Sequence, residues 1–328
     1  MKKSNPKSTK QPEVQILRTA MLFGLTRRAW SNRCKVGNEK LKTEEAVENG
    51  ALVLQQVTKR VNATKRLIAC AEYDGIMAHL NETYSWCLAR SMMATGVSRG
   101  VYFVRRDMVE AFEEHLEESR RMLREELLPL FVAAYPKAKE DAKRPVNDQD
   151  PDHGGLGSLY CEVDYPTVEE LRQCFGIEHS WFALSVPDEL PEEVRKKETD
   201  KLRETFERAQ QECLYALREG FTGLVAHAID RLKVPAGEKP KVFVADSMVG
   251  GFMEFFDTFR AKNLMDDAAL EAVVGQAQEI VMQFAPNIQR VKGSINLRND
   301  IAAKLGDVKS TLDGLLKDRP IRKFNFED

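Results

Sequence analysis

No segment of this 328-residue chain supplies the ~20 uninterrupted apolar residues that cross a bilayer. The longest apolar stretches, such as Leu127 to Ala134, are broken by Pro129. The basic start, Met1 to Lys7, leads into no apolar core of the kind a secretory signal needs. Cysteine is sparse, and its six copies (Cys34, Cys70, Cys87, Cys161, Cys174, Cys213) are dispersed, which excludes a disulfide scaffold and fits small hydrophobes in a reducing compartment. Net charge is also nearly absent, at -2. With 43% hydrophobic and 30% charged residues, the composition is that of a soluble globular protein, and the expected location is cytoplasmic.

Catalytic signatures are missing as well. Gly154-Gly155-Leu156-Gly157-Ser158 lacks the Lys-Ser/Thr of a phosphate-binding P-loop and the spacing of a dinucleotide loop. Ser85, Ser158 and Ser247 sit in no nucleophile elbow. Asp148, Asp150 and Asp152 alternate without the Gly and Glu of a calcium loop. Glu113-Glu114, Glu117-Glu118 and Glu125-Glu126 belong to a charged amphipathic helix, where a solvated face accounts for them. His153, Cys161, Cys174 and His179 are zinc-type ligands in a His-x7-Cys-x12-Cys-x4-His order, but no close Cys pair anchors them. The reading is therefore no enzyme, no cofactor and no metal, with that quartet as the only metal candidate.

What is present is helical periodicity. Val14, Leu17, Met21, Leu22 and Leu25 recur at three and four residues, as on a helix with one buried stripe. A turn at Gly37-Asn38 follows, and then helices over about 43–71 and 73–93. Val97 to Val104 reads as a short strand or an extended connection, and a helix follows from about Asp107 to Tyr135 with acids ahead of bases. Thr167 with Glu170 forms a capping box for a short helix ending near Phe175, and 177–190 reads as an aromatic packed loop. Pro191 opens a helix to Leu232, roughly 60 Å long, expected to project or to pair as a hairpin or coiled coil. Three more helices follow: one from Asp246-Ser247 with the stripe Phe252, Phe255, Phe256 and Phe259, one capped by Asp266-Asp267 and running to about Phe284, and one ending near Leu316. The Phe stripe is a candidate interface, although core packing explains it equally simply.

The expected fold is thus mainly α: elongated helical hairpins or a bundle with long helices and at most a few short strands. The expected division is a disordered basic tail (1–12), an N-terminal helical domain (13–135), a polar linker (136–158), a C-terminal helical domain (159–318) and a tail (319–328).

The near-zero charge conceals a polarity. Residues 1–66 hold 15 Lys+Arg and 5 Asp+Glu, a net +10, and the remainder carries -12. Arg27, Arg28, Arg33, Lys35, Lys40 and Lys42 surround Trp30, with Lys59, Arg60, Lys65 and Arg66 beyond. Such a set can neutralise phosphates of DNA or RNA while the indole stacks. It can equally meet the acidic part of the chain or an acidic protein.

Several short motifs carry a resemblance: Leu17 to Ser31 with Leu-Thr-Arg-Arg-Ala-Trp-Ser, Gly100 to Val104 entering a long helix, Asp164 to Arg172, Phe175 to Trp181, and Pro187 to Leu190. In these the chain resembles a helical family of phages and integrative elements, of no assigned activity, sometimes encoded beside MoxR-type AAA+ ATPases. The resemblance implies a non-enzymatic protein that acts in DNA transactions or counter-defence through nucleic acid or protein. The alternative is a self-assembling or AAA+-associated adaptor without nucleic-acid binding.

Overall fold

The computed structural model describes residues 14–36, 64–145 and 155–317. The two tails, the Gly37-Asn38 turn, most of the expected 43–71 helix, Lys40, Lys42, Lys59, Arg60, Asp148, Asp150, Asp152 and His153 lie outside the described residues. The fold is mainly α, with long helices and a few short antiparallel strands. It contains two compact units. Among the described residues, 14–24, 87–110 and 179–317 form the first, and 25–36, 64–86, 111–145 and 155–178 the second. Each unit is assembled from separated stretches, so the chain does not divide at residues 136–158 as its polar composition suggested.

The reason lies in the helix that was expected to stop at Tyr135. It runs as α3 (Val109–Met122), a π-helical turn (Leu123–Leu127) and α4 (Leu128–Lys143). Pro129 falls in the first turn of α4, and the π turn ahead of it re-registers the hydrogen-bond ladder where that proline lacks an N–H. Pro136 sits inside α4 on its exposed face. The stripe Phe131, Tyr135, Ala138 and Ala142 stays buried on either side of it. The polar stretch beyond α4 is closed at its base. Leu156 N–H donates to Ala142 O at 2.8 Å and Gly157 N–H to Arg144 O at 2.9 Å, while a Cβ on Gly155 would collide with the Arg144 backbone. The chain therefore returns to the helix end that it left.

The first unit begins with α1 (Gln15–Thr19), which gives way to β1 (Ala20–Arg28) in place of the expected long helix. β1 lies inside a sheet of order β4 (Met92–Met93), β5 (Val101–Arg105), β1, β6 (Gly176–Phe182). Ala20 pairs with Arg105 and Gly24 with Val101 in an antiparallel register. A strand covered on both faces reads as an apolar run rather than an alternation, so Ala20-Met-Leu-Phe-Gly-Leu25 satisfies helical and strand templates alike. The expected loop at 177–190 likewise begins as β6, with Trp181 against Phe23 at 4.7 Å between ring centres.

The long helix α6 (Glu192–Leu232) has the expected bounds and packs against another long helix, as expected, but also against the sheet. Its Phe206, Ala209 and Cys213 bury with Leu22, Val101 and Phe103 of the sheet. Farther on, Leu217, Phe221, Val225, Ala228 and Leu232 bury among α7 (Ala245–Lys262), α8 (Ala268–Phe284), α9 (Ile288–Gly293) and α10 (Ile295–Leu316). One helix serving two successive cores needs this length, which removes the two-stranded coiled-coil reading. Asp267 caps α8 as expected, accepting from Leu270 N–H at 3.2 Å. It also receives Arg218 Nε at 2.8 Å, and that guanidinium donates to Leu315 O at 2.8 Å. A single buried ion pair thus fastens α6, α8 and the end of α10. The Phe stripe belongs to this core: Phe252 and Phe259 are buried, and Phe255 stacks on Phe221 at 4.6 Å. That correction removes Phe252 and Phe259 from the candidate interface.

In the second unit the capping box forms as expected at α5 (Val168–Cys174), with Thr167 N–H donating to Glu170 at 2.7 Å and Glu170 N–H to Thr167 Oγ1 at 3.3 Å. Helix α2 (Ala71–Ala89) replaces the expected 73–93 helix within a few residues. The core is aromatic: Tyr73, Phe131, Tyr135 and Phe175 interlock at ring-centre distances of 5.7 to 6.1 Å.

A candidate binding cleft around Trp30

Of the eleven basic or aromatic residues singled out around Trp30, seven are described: Arg27, Arg28, Trp30, Arg33, Lys35, Lys65 and Arg66. They sit on the end of β1, on β2 (Arg33–Lys35) and on β3 (Thr64–Arg66). β2 and β3 pair antiparallel, with Arg33 opposite Arg66, Cys34 opposite Lys65 and Lys35 opposite Thr64. Part of the expected 43–71 helix is therefore strand. Alternation along β3 turns Arg66 outward and Lys65 inward.

Lys65 cannot contact a polyanion. Its side chain is 7% exposed, its ammonium meets Asp164 at 2.6 Å, and it donates to Leu159 O at 2.5 Å. Cys34 also donates to Asp164, at 3.4 Å, and burial together with that carboxylate raises its pKa above the usual thiol value. Arg28 pairs with Glu178 at 2.8 Å, and Arg27 donates to Asn81 and lies 6.0 Å above the Tyr84 ring. Arg66 grips Asp74 through both carboxylate oxygens, at 2.8 and 3.0 Å. Exposed pairs like these contribute little to stability, yet carboxylates stand beside three of the six described cations, Arg28, Lys65 and Arg66, whereas the exposed Lys35 has none among the described residues. Of the arginines in this set, Arg33 alone has neither a side-chain acceptor nor a ring beside it among the described residues. The expectation of a phosphate-tracking, DNA-binding surface is corrected on this ground: a row of phosphates would meet Asp74 and Glu178 wherever it met Arg66 and Arg28.

Three of these residues, Trp30, Arg33 and Arg66, line an open cavity of about 510 Å³ together with Ser31, Tyr73 and Asp74 among others. Its rim is rigidly held. Tyr73 donates its hydroxyl to Trp30 O at 3.0 Å, and Asn32, almost fully buried, exchanges two hydrogen bonds with the Ile68 main chain at 2.7 and 2.8 Å. The indole of Trp30 meets Tyr73 and Tyr135 nearly edge-on, at 5.8 and 6.0 Å. Arg33 faces Arg66 across the strands, and like charges so placed repel unless an anion lies between or beside them. Asp74 supplies one such anion, to Arg66 only. The contributions of Asn32, Tyr73, Asp74 and Met77 were not visible in the sequence, because they depend on a strand pairing between distant residues and on the spacing of Tyr73 and Met77 along α2.

The other candidates do not assemble into sites. Among the described residues no group of three or more His, Cys, Asp or Glu side chains is placed to hold a metal ion. Cys161 and Cys174 are free thiols, and His179 packs against Phe23 at 5.7 Å. A Ser–His contact does occur, with Ser119 Oγ 2.9 Å from His79 Nε2. The hydroxyl is also shared with Thr83 at 2.8 Å, and both hydroxyl-bearing residues are buried between α2 and α3, so it ties two helices together. Among the described residues no helix is long and apolar enough to cross a membrane.

No family model, curated protein or solved structure matches the chain. The resemblance to the phage and integrative-element family therefore gains no support outside its own short motifs, and no residue role is taken from it.

Proposed function

We propose that the chain is an interaction protein whose Trp30 cleft receives an acidic segment of a protein partner. The observation that carries this reading is the pairing of Arg33 with Arg66 at an aromatic cavity, with only one of the two guanidinium groups neutralised among the described residues. A single carboxylate beside an apolar or aromatic side chain fits that arrangement. It would bridge to Arg33 with charge-assisted hydrogen bonds while its neighbour covers the indole.

The test is selection from a random peptide library on the full chain, followed by titration of an enriched peptide. The expected enrichment is Asp or Glu next to an aromatic residue, and Arg33→Glu, at an exposed position, weakens binding about tenfold or more without changing the thermal unfolding curve. Enrichment without acidic residues, binding unchanged in Arg33→Glu, or displacement of the peptide by a single-stranded oligonucleotide with steep salt dependence would each refute the reading.

A further inference from the structure

A second surface, on the other unit and independent of the Trp30 cleft, follows from the segment joining α6 to α7. Lys239 to Val244 belongs to no helix and no sheet among the described residues, and Val244 has an extended backbone. Phe243 points inward and is buried, whereas Val242 and Val244 are 82% and 68% exposed. These are β-prone residues in strand-like alternation with no strand beside them. The main-chain N–H and C=O groups of Val242 and Phe243 make no hydrogen bond among the described residues. The carbonyls on either side are engaged, Lys241 O by Arg298 at 2.8 Å and Val244 O by Met248 N–H at 3.1 Å.

The segment is held firmly in this shape. Arg298 is buried and donates to Arg231 O at 2.6 Å, to Leu232 O at 3.2 Å and to Lys241 O at 2.8 Å, with its guanidinium 5.1 Å above the Phe243 ring. Beside the segment lies a cavity of about 360 Å³, lined by Leu224, His227, Arg231, Val242, Val244 and Met248 among others. A fixed main chain with open hydrogen-bonding groups, beside a cavity lined by both apolar and basic side chains, has the parts that strand addition uses. The main chain supplies affinity and the cavity selects alternate side chains.

Charge identifies the occupant. Arg231 lines the cavity with no salt bridge of its own among the described residues, and the neighbouring Asp230, which feels its charge, pairs directly with Lys241 at 2.5 Å. Lys233 and Lys239 flank the segment, both exposed. Lys239, Pro240 and Lys241 are also the residue types that discourage self-pairing of an exposed edge, and a second copy would bring its own lysines against them. We propose that Lys241–Val244 accepts an extended peptide of another protein, alternating apolar and acidic residues, as an added β-strand.

Three peptides of about eight residues test this by fluorescence anisotropy on the full chain: Val alternating with Glu, Val alternating with Lys, and the Val/Glu peptide N-methylated at alternate amides. The Val/Glu peptide is expected to bind, to lose about tenfold or more on N-methylation and on Arg231→Ala, and to outcompete Val/Lys. Hydrogen exchange on the unmodified chain is expected to slow at Val242 and Phe243 when the Val/Glu peptide is bound, a readout that depends on no variant. Failure of all three peptides to bind, equal binding of the N-methylated form, or protection confined to other residues overturns the proposal. So does sedimentation showing a dimer that Val242→Asp dissolves, since a second copy would then be the occupant.

Discussion

Replacing Arg298 by methionine tests the joint on which the α6–α7 connection depends. The guanidinium is 2% exposed and makes three hydrogen bonds, two of them to the last carbonyls of α6, where a cation also meets the negative end of the helix dipole. Hydrogen bonds from a charged group contribute about 1.5–3 kcal/mol each. Against this stands desolvation of the guanidinium, which lowers its pKa below the ordinary arginine value although the group stays protonated. Methionine fills much of the same volume, so the cavity left behind is small and the loss is chiefly that of three carbonyls without donors. Water reaches some of them, and the net cost comes to about 3 kcal/mol. For a unit of this size that lowers the melting temperature by about 6–12 °C, read by circular dichroism at the helical band. Arg298→Lys keeps the charge and one or two of the contacts, and should lose about half as much. A methionine variant melting within about 1 °C of the parent, or a lysine variant no better than methionine, would refute the reasoning.

Two further outcomes follow from the same contacts. Asp267→Asn retains a competent helix cap but leaves Arg218 without its carboxylate at a mostly buried position, and denaturant unfolding should register a loss of about 2–4 kcal/mol; a loss below about 0.5 kcal/mol would show that the pair is not a joint. The Glu170 carboxyl is held below its ordinary pKa by the Thr167 N–H and then by the Thr167 hydroxyl. A depressed pKa of this kind adds stability above the unfolded value of about 4.3, and that stability is lost as pH falls through the folded value. Glu170→Gln should therefore melt lower than the parent at pH 7 and together with it once Glu170 is protonated; a constant difference across that range would refute the assignment.

Helix boundaries set by local chemistry were legible in the sequence. The Thr167–Glu170 box and the Asp267 cap each act within one helical turn and stand as read, and Pro191, expected as the first helical residue, is the N-cap just ahead of α6. What escaped were decisions made by distant partners. Ala20 to Leu25 becomes a strand because β5 and β6 cover both its edges, and Pro136 stays inside a helix because Phe131, Tyr135 and Ala138 go on burying across it. The polar stretch after Lys143 looked like a linker, yet Gly155, read only as flexible, is the residue that lets the chain close against Arg144. Composition signals solvent exposure, but whether an exposed stretch joins two bodies or leaves and rejoins one is decided by contacts across it.

The charge polarity of the chain shows the same limit in electrostatic terms. A net of +10 over residues 1–66 says that cations outnumber anions along the sequence, not on a surface. In space, Lys65 is neutralised by Asp164, Arg66 by Asp74 and Arg28 by Glu178, all from the acidic remainder of the chain. Long-range attraction for a polyanion falls off within a Debye length of about 8 Å, so carboxylates only 2.6 to 2.8 Å from Arg28, Lys65 and Arg66 cancel most of the field of these three cations. What survives is local. Arg33 faces a like charge across two strands and lines the same cavity as the Trp30 indole, with no carboxylate of its own among the described residues. Recognition there depends on one well-placed acidic group, and the salt dependence of binding should be correspondingly shallow.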